Sequence, residues 1–155
     1  MKKILKFIVL AVVVFNYSIS MAQVVAPVDK NRIANGGYDV VAYFSDNMAM
    51  KGNGSYIVEY KGAKYQFASA EHQQMFQSEP EKYLPVCDGY CAWGVAENGK
   101  KVPVNPQTYK IINGKLYLFF NGDFKGTPFN TLEEWNKNQE TLLQELPVKW
   151  AKLKK

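Results

Sequence analysis

Short apolar runs separated by glycine-containing turns constrain this chain more than any other feature. Residues 56–60 and 64–67 alternate around Lys61-Gly62-Ala63, residues 92–96 and 101–104 flank Glu97-Asn98-Gly99, and residues 109–112 and 116–120 flank Asn113-Gly114. The dipeptide Asn-Gly suits the left-handed backbone of a two-residue hairpin turn, and glycine after Lys61 offers the same freedom. The expectation is three antiparallel hairpins, with residues 38–44 (YDVVAYF) adding a short buried strand or packed turn.

Helical signals fall between these runs. Ser69 can cap a helix reaching about residue 77, with Glu71 near its positive end, and His72, Met75 and Phe76 then share an inward face at spacings i, i+3 and i+4. Ser78 and Pro80 can open another turn, from which Tyr83 drops into the core. Thr131-Leu132-Glu133-Glu134 has the form of a capping box; Leu132, Trp135, Leu142, Leu143 and Leu146 form the stripe behind it, Glu133 and Lys137 an i,i+4 pair, and Pro147 the expected stop. The tail after Pro147 reads as a docked last turn, or as a basic-aromatic patch for anionic lipid. Together these patterns predict a single α+β domain of short antiparallel hairpins with helices packed on one side.

The first 22 residues read as a secretory signal peptide: Lys2, Lys3 and Lys6, an unbroken apolar run over residues 7–15, and Ser20-Met21-Ala22 as the cleavage site. That run is shorter than the roughly 20 residues of a spanning helix, and no later segment is long enough, so the mature chain is expected to carry no transmembrane segment. The expected layout is a leader at 1–22, a lead-in at 23–35 and a domain at 36–155, exported to the periplasm or exterior of a bacterium. Of 19 Lys and Arg against 14 Asp and Glu, the leader holds three lysines and no acids, leaving the mature chain near +2. Charges so few and so interspersed do not form the basic face of a nucleic-acid binder, and no nucleic-acid partner is expected.

The segment from Ser69 to Trp93 holds the only histidine, His72, and both cysteines, Cys87 and Cys91. Two thiolates with an imidazole, and a thioether from Met75 or a loop methionine, form a soft donor set that selects Cu(I) or Zn(II). A single Cys-x-x-x-Cys lacks the second pair of a structural zinc site. In an oxidising compartment the same cysteines can instead form a disulfide that shapes a tight loop, leaving a small-ligand or protein-binding domain without chemistry. A third reading is a thiol enzyme with Cys91 as nucleophile and His72 as base. A serine hydrolase would also need His72, but the chain has no Gly-x-Ser-x-Gly elbow. Tyr90 and Trp93 are candidates for the wall of an apolar pocket.

Four stretches, GYDVVAYF, YQFASAEHQQMFQSEPEKYLP, GYCAWGVA and INGKLYLFFN, resemble YHS domain proteins of the small secreted bacterial type. The signature positions are Tyr65, Phe67, Ser69, His72, Phe76, Pro80 and Tyr83. The resemblance implies a module that binds a metal ion, copper or zinc, as cargo or accessory and has no assigned catalysis. Metal-associated members carry cysteines in the strand-helix segment, whereas here Ala68 stands at one such position and the cysteines come later. The resemblance therefore carries over at most His72 as a ligand, and the donor types add Cys87 and Cys91 as tentative ligands, with Met75 a weaker fourth.

Overall fold

Two of the three expected hairpins form. In this computed structural model, which describes residues 27–154, β1 (Asn53–Tyr60) pairs antiparallel with β2 (Ala63–Phe67), and β3 (Asn105–Ile112) with β4 (Lys115–Phe119). Both turns take the left-handed backbone at both central residues, Lys61-Gly62 and Asn113-Gly114, as a twist-matched hairpin requires. Val58 faces Tyr65 in one pair and Lys110 faces Tyr117 in the other, and each first strand carries a bulge. The expected signal peptide and its cleavage site lie outside the described residues.

The hairpin expected around Asn98-Gly99 is a helix. Residues Ala92–Asn98 form α4 in the chain's numbering of helices, after α1 (Ala42–Ser45), α2 (Ala70–Ser78) and α3 (Pro80–Tyr83). The left-handed Gly99 closes α4, its N–H donating to the carbonyls of Gly94 and Val95, so the dipeptide acts as a helix stop. A third hairpin occurs elsewhere: β5 (Asn121–Phe124) and β6 (Thr127–Asn130) are joined by a left-handed Lys125-Gly126, the same chemistry as Lys61-Gly62.

Other local expectations shift for identifiable reasons. Of the two expectations for residues 38–44 the packed turn forms and the strand does not, because the Asp39 carboxylate accepts the N–H groups of Val41 and Ala42 and turns the chain into α1. Ser69 caps α2 through the N–H of His72, as predicted, but Ser78 bonds back to the Gln74 carbonyl and does not cap α3. Asn130, one residue before Thr131, caps α5 (Thr131–Lys137), which frees the Thr131 hydroxyl to reach the Phe120 carbonyl. Lys137 pairs with Glu134, not Glu133. Pro147 lies inside α6 (Gln139–Leu153), which continues because Trp150 and Leu153 pack against the core and Lys149 reaches the Ala96 carbonyl. The tail is therefore docked, although Val148 stays exposed.

Three buried clusters form the interior. The largest gathers Val95, Phe119, Trp135, Leu142 and Leu146 between α4, β4 and the C-terminal helices; a second joins Val40, Val41, Phe67, Phe76 and Tyr83; a third holds Tyr43, Cys91, Val104, Leu116 and Leu118. Trp93 and Phe44 each border two clusters and knit them together. Each fully buried aromatic or aliphatic side chain contributes about 1.5–3 kcal/mol. The result is an α+β arrangement of three two-stranded antiparallel sheets. Among the described residues no helix is long and apolar enough to cross a membrane.

Candidate functional site

His72 sits on the first turn of α2, where the Ser69 cap fixes its backbone. Its ring points toward the segment that follows Asp39. Nδ1 lies 2.7 Å from Oδ2 of Asp39, a side chain with no exposed surface. That carboxylate also accepts the N–H groups of Val41 and Ala68, each at 2.8 Å, and of Ala42 at 3.3 Å. An anion held by three backbone donors can only accept from the imidazole, so in the neutral ring the proton is on Nδ1 and Nε2 carries the lone pair.

Nε2 faces the rim, where the His72 side chain keeps 12% of its surface. It lies 3.1 Å from the Ser45 hydroxyl and 3.3 Å from Oδ2 of Asp46, and the hydroxyl is itself 2.7 Å from that same oxygen. Ser45 has one proton, and Val41 O at 3.2 Å is a further acceptor for it. Nε2, the Ser45 hydroxyl and the Asp46 carboxylate oxygen thus meet at the rim, a nitrogen and two oxygens within 3.3 Å of one another.

The cysteines are elsewhere. Cys91 is fully buried and caps α4; its sulfur accepts from the N–H groups of Gly94 at 3.4 Å and Phe120 at 3.3 Å, and touches the Thr131 hydroxyl at 3.2 Å. Cys87 stands in a left-handed pair with Asp88 and packs in the largest cluster, where burial pushes its thiol up to about 12. Both are free thiols, so the alternative of a Cys87–Cys91 disulfide is corrected: the two side chains enter different clusters, with the Cys91 sulfur turned toward β4 and α5. Neither sulfur is a hydrogen-bond partner of His72. Met75 packs against the Phe67–Phe76 cluster. Among the described residues no group of three or more His, Cys, Asp and Glu is arranged to hold a metal ion. A histidine, a carboxylate and a hydroxyl do converge, with a second carboxylate behind the imidazole.

An aromatic cavity of about 510 Å³ is the second feature. Trp93, Phe120, Phe124 and Phe129 wall it, with Val102 beside them and the buried Thr131 at its base. Trp93 meets Phe129 edge-on at 5.6 Å, and Phe129 lies 6.0 Å from Phe124, so the β5–β6 hairpin forms one wall. Of the two aromatic candidates, Trp93 lines this cavity. Tyr90 packs elsewhere, 6.3 Å from Trp150 and beneath Lys101.

Sequence reasoning missed Asp39, Ser45 and Asp46 as partners of His72. Asp39 carried a turn signal, which is half of its role, but nothing local links it to a side chain 33 positions away. Phe124 and Phe129 were signalled by Lys125-Gly126, read alongside Lys61-Gly62.

Residues 41–86 match the YHS domain family, one linked to metal handling, copper included. No curated protein and no solved structure matches the chain. The matched segment contains Ser45, Asp46 and His72, while Asp39, both cysteines and the residues walling the cavity lie outside it.

Proposed function

We propose that this chain is an exported metal-binding module that takes a divalent ion of borderline softness, copper(II) before zinc(II), at His72 with Asp46 and Ser45. The observation that carries the reading is the imidazole held between two carboxylates, buried Asp39 on Nδ1 and rim Asp46 beside Nε2. Histidines that ligate metals characteristically donate their other N–H to a carboxylate, which fixes the tautomer and raises the basicity of the ligating nitrogen. Nitrogen and oxygen donors favour divalent copper, nickel or zinc over Cu(I), and copper(II) heads the affinity order. His72 supplies the imidazole, Asp46 the anionic oxygen and Ser45 a neutral oxygen; Asp39 positions the ring. So few protein donors leave coordination positions for water or for a partner's ligand, which suits a carrier or accessory. A bound ion of this kind supplies Lewis acidity, and no reaction is assigned to it here.

Export rests on the leader pattern of residues 1–22 alone, and metal binding on the YHS match over residues 41–86. The cysteines have no part in the site: Cys87 is held protonated and Cys91 is committed to backbone donors. Calorimetric titration of the metal-free mature protein with Cu(II) tests this. His72→Gln and Asp46→Asn are expected to lose binding by tenfold or more, in the range of outer- and inner-shell losses, while the Cys87→Ser, Cys91→Ser double variant binds as wild type. Loss of binding in the cysteine variant alone would sink the site.

A further inference from the structure

The aromatic cavity is independent of the His72 site, and we propose that it binds an aromatic monocarboxylate, ring inward and acid group at the rim. The walls decide the ring. Trp93, Phe124 and Phe129 present faces and edges to one space, an arrangement that favours a flat π-system over a branched aliphatic chain. A volume of about 510 Å³ lies within the range of sites that enclose a small organic molecule.

The rim decides the charge. Two polar residues, Asn98 and Lys100, line the cavity on either side of the left-handed Gly99 that caps α4, and both are exposed. Among the described residues Lys100 takes part in no ion pair and its ammonium in no hydrogen bond, as is also true of Lys30, Lys64, Lys115 and Lys152, but of these lysines Lys100 is the one that lines the cavity. No acidic residue lines the cavity. A single free cation and a carboxamide at the mouth of an apolar chamber suit one anionic group of two oxygens. The hairpin β5–β6 covers one side, and Phe124, 55% exposed on that hairpin, is the residue a bound ring would cover.

The probe pair is 2-naphthoate and the neutral 2-naphthalenemethanol, with binding to the mature protein followed by quenching of tryptophan fluorescence and by calorimetry. The acid is expected to bind about 1.5- to fivefold tighter than the alcohol, the range for one solvent-exposed charge pair. Lys100→Gln removes that difference by weakening the acid alone. Phe124→Ser, an exposed position that leaves the core intact, weakens both probes. His72→Gln leaves both unchanged, so failure at the metal site and failure here are read separately. Equal binding of the two probes, an unchanged preference in Lys100→Gln, or no binding of either probe overturns the proposal.

Discussion

His72 Nδ1 and Asp39 Oδ2 lie 2.7 Å apart, joining the first turn of α2 to a carboxylate that has no exposed surface and holds three backbone N–H groups of its own. Asp39 thereby ties three stretches together: the start of α1, the end of β2 and the helix carrying His72. One residue sets both a local turn and the orientation of the ring.

Removing that carboxylate leaves the N–H groups of Val41, Ala42 and Ala68 without their acceptor in a buried place. Asp39→Ala is expected to cost about 3–5 kcal/mol, as for other broken buried charge contacts. Asp39→Asn keeps one acceptor oxygen and should cost less. Urea unfolding is the measurement, and a fall in the midpoint at constant slope is the expected result.

Cys87 gives a pH signature. Burial raises its thiol from 9.0 to about 12 in the folded protein, so between those values the unfolded chain loses a proton that the folded chain keeps. Stability from this group is complete below pH 9 and declines as the pH rises toward 12. Cys87→Ala should therefore flatten the alkaline fall in stability relative to wild type. A parallel pH profile in the two proteins would contradict the assignment. In the folded protein at neutral pH, Cys87 should be alkylated far more slowly than in urea.

Gly94 lies on α4 against Val102, which lines the cavity. A methyl group there would approach Val102 Cγ2 at 2.8 Å and Cβ at 3.0 Å. Gly94→Ala is expected to lower stability by about 1–3 kcal/mol despite the better helix propensity of alanine. By shifting Val102 it should also weaken 2-naphthoate binding, read by the same tryptophan quenching.

Local chemistry made much of the fold legible and little of the site. Lys61-Gly62 and Asn113-Gly114 fixed two hairpins because a left-handed pair depends on neighbours in sequence, and the Ser69 cap fixed α2 in the same way. Asn98-Gly99 misled because left-handed glycine ends helices as readily as it turns hairpins; the choice is made by Cys91, whose sulfur caps the preceding turn. Pro147 failed as a stop because tertiary packing of Trp150 and Leu153 outweighs one missing hydrogen bond. At the site, His72 was legible as a lone inward-facing imidazole. Its partners were not, since contacts across 33 and 27 residues leave no period or spacing in the chain. The proximity of Cys87 and Cys91 in sequence was the wrong guide: a left-handed turn and a helix cap send the two sulfurs to different clusters.

The central claim is that the metal ligand is the free nitrogen of His72 and that sulfur has no share in the site. Electron paramagnetic resonance of the mature protein with one equivalent of Cu(II) tests it most directly. The account predicts coupling to a single imidazole nitrogen, lost in His72→Gln, with no thiolate-to-copper absorption and an unchanged spectrum in the Cys87→Ser, Cys91→Ser variant. A thiolate-copper absorption band, or a spectrum that survives in His72→Gln, would contradict it.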